Sequence, residues 1–161
     1  MRYALFPDLN RVIIALAPRF EARDHAPETF RDMLAAPGII WAGNSERTIY
    51  GDANVNHAFR AWHDMHHARG LWNFSIAGEY ATLQSQVHEL LTVFPCAPSL
   101  WVRALWWEVV GQGLHLQTHG TFPHDQIAFV RNGLACDILP HGMQRCVVPV
   151  CELSGPWWAT T

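Results

Sequence analysis

Lysine is missing: all eleven basic residues in this 161-residue chain are arginine. That excludes a Schiff-base lysine, the lysine of a Walker P-loop and a Ser-Lys catalytic pair. Paired cysteines are missing too. Cys96, Cys136, Cys146 and Cys151 form no CxxC and read as free thiols; Cys136, Cys146 and Cys151 could gather at a metal, but their spacing is not diagnostic and they read as small buried apolar groups. Charge is sparse, 16% of residues against roughly 25% in an average domain. A net charge of −3 and a pI near 6.3 argue against a dedicated nucleic-acid binder. The apolar run Val12 to Pro18 lies between Arg11 and Arg19. It is too short to span a bilayer and poorly shaped for a secretory signal, so a cytoplasmic protein without membrane contact is expected. No internal repeat and no low-complexity linker divides the chain, which reads as one domain over 1–161.

What is present is apolar and aromatic. Hydrophobic residues make up 50% and aromatics 12%, with eight tryptophans and ten histidines. Periodicity predicts helices. Asn10 to Phe20 and Pro27 to Ala36 are short candidates, and Gly38 to Gly43 is a short extended piece. Asp52 to Arg69 places Val55, Ala58, Phe59 and Trp62 on one face. Ser75 caps a second long helix running to about Phe94, which Pro95 and Pro98 stop. Ser99 caps a third, Leu100 to about Leu116, and Pro123 and Asp125 open a fourth to about Ile138. The expected fold is all-α or mainly α: a single-domain helical bundle with irregular terminal segments. Residues 52–138 form its core, and 139–161 an irregular tail holding a possible short strand at Val147 to Val150.

The sharpest chemical signal is His63-Asp64-Met65-His66-His67. On a helix, His63 and His67 at i and i+4 share a face and can reach one cation at about 2.0–2.1 Å. Glu79 stands in an otherwise apolar and amide-rich helix. Glu108 lies between Trp106-Trp107 and Val109-Val110, where a carboxylate must be paired, neutralised or bound to a metal. The expected metal set is therefore His63, His67, Glu79 and Glu108. Asp64 and Glu79 are the candidate catalytic acids. Glu108, Gln112, His115 and His119 recur at i, i+4, i+7 and i+11, one helical face. Gln112, His115 and Asp125 are expected to support the ligands from behind. Ordinary alternatives stand beside these readings: a core histidine satisfied by backbone, an ion pair of Glu108 with Arg60 or Arg103, and first-turn charge for Glu79. The chain has no Glu-x-x-His, unlike ferritin-like dimetal bundles.

The runs His63-Asp64-x-x-His67, Phe74-Ser75-x-x-Gly78-Glu79, Glu108-Val109-Val110-Gly111-Gln112 and Phe122-Pro123-x-Asp125-Gln126-x-x-Phe129-Val130 span about residues 57 to 131. Together they resemble a family of small proteins, of no assigned activity, encoded by tailed bacteriophages and prophages. The resemblance implies the cytoplasm of a phage-infected or prophage-bearing bacterial cell, and no particular reaction. A weaker resemblance is to zinc metallopeptidases carrying His-Glu-x-x-His. Here Asp64, one methylene shorter, replaces the usual glutamate base, and Glu79 would be the third ligand, twelve residues after His67.

The functional expectation is a metal-dependent enzyme with a buried His/Glu site acting on a small molecule. An apolar, Trp-rich surround favours non-haem iron and an oxidoreductase. A zinc-dependent hydrolase is the alternative, with manganese a third possible ion. A non-catalytic phage-encoded interaction protein, stapled by a metal or a His–Glu network, is the other class, and Trp157-Trp158 suggests a homo-oligomeric contact. A nucleophilic enzyme on Cys96 or Ser75 lacks any elbow motif.

Overall fold

The computed structural model describes residues 4–25, 27–45 and 47–136. Helix α1 (Pro7–Leu16) starts on a proline, which supplies the helical φ at a position whose N–H has no intrahelical use, and Asp8 adds first-turn charge. It starts and ends a few residues earlier than periodicity suggested, because Ala17 is already extended before Pro18. Its buried residues are Leu9, Val12 and Ile13, the i, i+3, i+4 pattern of one packed face.

Strands β1 (Glu21–Arg23) and β2 (Ile39–Trp41) pair in parallel, Glu21 opposite Ile39 and Arg23 opposite Trp41. Helix α2 (Phe30–Ala35) makes the crossover, with the Thr29 hydroxyl accepting from Asp32 N–H at 3.2 Å. β1 is exposed along its length and carries no hydrophobic alternation, so periodicity had no purchase on it.

Two long antiparallel helices form the centre. Helix α3 (Ala53–Gly70) is capped by Asp52, and helix α4 (Ile76–Val93) by Ser75. The contacts His63–Gln86, His66–Ser85 and Trp62–Glu89 run in opposite chain directions, which fixes the antiparallel sense. The five-residue link is tight. Leu71 adopts a left-handed backbone (φ 53°), a costly conformation for a non-glycine residue. A Cβ on Gly78 would meet the Asn73 carbonyl oxygen at 1.8 Å, so only glycine lets the link lie on the first turn of α4.

Helix α5 (Ser99–Trp106), a π-helical turn (Trp107–Gly111) and helix α6 (Gln112–His119) follow, where one uninterrupted α-helix was expected. Helix α7 (Gln126–Ala135) is capped by Asp125, whose carboxylate accepts from Ala128 N–H at 2.9 Å. The fold is mainly α, as the sequence indicated. Trp62, Leu83, Leu90, Leu105, Ile13 and Val130 meet in one core, each at most 1% exposed. No helix of the described residues is long and apolar enough to cross a membrane. Cys136 is exposed, which corrects its reading as a buried apolar group, and Cys96 is exposed too. Ile138, Val147 to Val150, Cys146, Cys151 and Trp157-Trp158 lie outside the described residues.

Candidate metal centre

Helix geometry brings His63 and His67 to one face of α3, and the Ser75 cap sets Glu79 one turn into α4, opposite them. The three donor atoms converge. His67 Nε2 lies 2.9 Å from His63 Nε2, His63 Nε2 is 3.0 Å from Glu79 Oε2, and His67 Nε2 is 3.3 Å from the same oxygen. His67 is fully buried, whereas the side chains of His63 and Glu79 are 15% and 16% exposed.

Proton accounting gives this triangle its meaning. His63 Nδ1–H donates to Gln86 Oε1 at 3.0 Å, and His67 Nδ1–H donates to the Trp72 carbonyl at 2.8 Å. Both acceptors lack hydrogen, so each ring keeps its Nδ1 proton, and each neutral ring turns an Nε2 lone pair toward the Glu79 carboxylate. Three acceptors then face one another, and either a proton or a metal ion must lie between them. The spacing suits an ion. Donors about 2.1 Å from one cation stand about 2.9 Å apart on an octahedral face and about 3.4 Å apart in a tetrahedron. Imidazoles whose remote N–H is held by a carbonyl have the usual outer arrangement of metal-bound histidine.

Electrostatics agree. Burial alone would raise the Glu79 pKa, but with a proton between the three groups, hydrogen bonds and charge from His63 and His67 bring it down to about 2. Burial opposes charge on His63, yet the bond to Glu79, with Asp64 nearby, leaves its pKa above the ordinary value. The site favours positive charge at its centre.

His63, Asp64 and Glu79 line a cleft of about 1000 Å³, whose other wall includes Glu108, Val109 and Gln112. Asp64 makes no hydrogen bond among the described residues, and burial raises its pKa despite His63 and His67. Glu108 is not part of the triangle. His63, His67 and Glu79 are the group whose donor atoms lie within 4.8 Å of one another, and Glu108 is outside it, which corrects its expected role as a ligand. Nor is it clasped by arginine. Arg60 donates to the carbonyls of Trp41 (2.6 Å) and Gly43 (2.7 Å), and Arg103 to that of Leu134 (2.8 Å). Burial pushes the Glu108 carboxyl up to about 7, and the neighbouring Gln112 amide and the Arg60 charge counter this only in part. Among the described residues, Glu108 Oε2, Gln112 Nε2 and Tyr50 OH are buried without partners.

The π-turn explains which of the expected residues reach the cleft. It stretches the local period beyond 3.6 residues, so cleft-lining positions recur every four: Glu108, Gln112 and Leu116. His115 leaves that face, hydrogen-bonding the Thr121 carbonyl at 2.9 Å and packing on Phe129. His119 pairs with His115 at 4.3 Å between ring centroids. Asp125 is exposed and occupied as the cap of α7, so neither it nor His115 supports the ligands. Gln112 lies beside Glu108 and touches none of the three donors.

Sequence reasoning missed Gln86 and the Trp72 carbonyl. Gln86, seven residues after Glu79, shares its face of α4, a signal that was readable. The Trp72 carbonyl is delivered by the left-handed turn at Leu71, which no residue type announces. His66 belongs to a separate buried cluster with Ser85 Oγ and Glu89 Oε2, each at 2.8 Å. The Ser75 hydroxyl is occupied as a cap, accepting from Gly78 N–H. No protein-family model, curated protein or solved structure matches the chain.

Proposed function

We propose that the chain is a metal-dependent enzyme that holds one divalent ion on His63, His67 and Glu79 and works on a small molecule in the adjoining cleft. The observation carrying this reading is the convergence of three lone pairs, with both outer imidazole N–H groups already committed. Two imidazoles and one carboxylate on one face leave the remaining positions for water or substrate, the donor set of mononuclear non-haem iron sites. Two triangle edges, at 2.9 and 3.0 Å, favour octahedral over tetrahedral spacing, and hence iron and oxidoreductase chemistry. Gln86 and Trp72 would fix the ring tautomers, Glu79 would supply the compensating charge, and Asp64 would take up a proton released at the cleft side. Phe59, stacked on the His63 ring at 6.0 Å, and Phe74, edge-on to His67 at 5.1 Å, would limit water at the centre.

The unpartnered Asp64 carboxylate favours a second reading, zinc-dependent hydrolysis with Asp64 as base. Elemental analysis of the untagged chain, followed by anaerobic reconstitution with iron(II) and addition of nitric oxide, separates the two. A stoichiometric ion and a high-spin iron–nitrosyl EPR signal support iron with open positions. Stoichiometric zinc that iron does not displace supports the hydrolase. A chain that takes up no ion refutes both, and one that unfolds on chelation makes the metal a structural staple.

A further inference from the structure

The three donors occupy one part of the cleft, and the chemistry of the rest bears on what enters it. Carboxylates dominate the charged part of the lining: Asp24, Glu28, Asp64, Glu79 and Glu108. The arginine among the lining residues, Arg60, is committed to two backbone carbonyls and lies over the Trp41 ring at 5.4 Å. Glu108 is the telling member. It is 9% exposed and, among the described residues, has no ion pair and leaves an oxygen without a partner. Gln112, 5% exposed and one turn further along, leaves its amide nitrogen, a donor, unmatched among the described residues. A buried acid without a counter-ion is costly unless something else supplies hydrogen-bond donors.

We infer that the cleft takes a small molecule bearing a protonated amine, with its ammonium at the Glu108 carboxylate and its apolar body against Phe59 and Phe74. The inference rests on the reading of this cleft as a metal-dependent active site, and it adds the substrate class. An ammonium brings three donors and no acceptor, the complement of a wall rich in acceptors. An anion would meet the Asp64 and Glu108 carboxyls, and a neutral alcohol would give Glu108 a hydrogen bond but no charge to stabilise its ionised form. The aromatic rings beside the metal face add attraction for a cation's flank.

Benzylamine, benzyl alcohol and benzoate share one ring and differ in charge. Each is titrated into the zinc-loaded full chain at neutral pH by calorimetry, and into His63→Ala and Glu108→Gln. The inference expects benzylamine to bind at least about tenfold more tightly than benzyl alcohol, with benzoate weakest. Glu108→Gln, which keeps shape and lacks the charge, should weaken benzylamine about fivefold or more and leave benzyl alcohol unchanged. His63→Ala should keep the amine preference, because Glu108 is untouched. Benzoate binding as tightly as benzylamine, or an amine preference that survives Glu108→Gln, overturns the inference. The two readings fail separately. A chain that binds zinc without preferring the amine loses the substrate class alone, and one that prefers the amine without binding zinc loses the metal alone.

Discussion

Two glutamates line the same cleft and have opposite characters. Glu79 faces the imidazoles of His63 and His67 on α3, and its pKa is held near 2. Glu108 sits on the π-turn among tryptophan and valine, has no ion pair among the described residues, and is raised to about 7. The difference is one of partners, since burial raises both. Where two imidazoles converge, a carboxylate stays charged and can hold a cation. Where none does, it keeps its proton over much of the neutral range. The pair divides the cleft into a charged end built for an ion and an acceptor-rich end that lacks a counterpart.

The largest test of that division removes each acid in turn. Glu79→Ala should weaken metal binding by at least about 100-fold, whereas Glu108→Ala should change it less than about threefold, measured by competition with a chromophoric chelator. Equal losses would mean that both acids bind the ion and would erase the contrast.

The next concerns stability against pH in the metal-free chain. Glu108 has a folded value of about 7 against an ordinary 4.5. Between those values the folded state keeps a proton that the unfolded chain releases, so stability falls as pH rises and levels off above 7. The full penalty is about 3 kcal/mol. Glu108→Gln should therefore be more stable than the parent by up to about 3 kcal/mol at pH 8, with little difference near pH 4.5. Urea unfolding at both pH values reads this directly. A variant less stable at pH 8 would mean that Glu108 is ionised and well partnered.

The smallest effect sharpens the comparison from the metal side. Gln86→Leu removes the acceptor that fixes the His63 tautomer and leaves the ligands in place. Metal affinity should drop about tenfold, with the far-UV circular dichroism unchanged. No change would mean that the tautomer is set without Gln86.

Much of this was legible in the sequence, and unevenly so. α3 and α4 announce themselves through a 3.6-residue period bounded by Asp52 and Ser75, and their stripes carry His63, His67 and Glu79 to a common point. The stripe from Glu108 to His119 failed because it assumed one period throughout, and the π-turn changes the period midway. Glu108 was rightly seen as an acid in an apolar setting, and of the three resolutions open to it, pairing, neutralisation and metal binding, its raised pKa and its place outside the triangle favour neutralisation over the expected ligand role. β1 was invisible because three exposed residues carry no pattern. Gln86 was overlooked because an amide in an amide-rich helix looks like solvent-facing filler until a partner helix is placed against it.

The account depends on a cation lying between two imidazoles and one carboxylate. Crystals of the metal-loaded chain, measured above and below the absorption edge of the bound element, locate that ion directly. One anomalous peak about 2.0–2.2 Å from His63 Nε2, His67 Nε2 and a Glu79 oxygen is the predicted result. No peak there under loading conditions, with the two rings and the carboxylate sharing only a proton, or a peak seated on Glu108 instead, would contradict it.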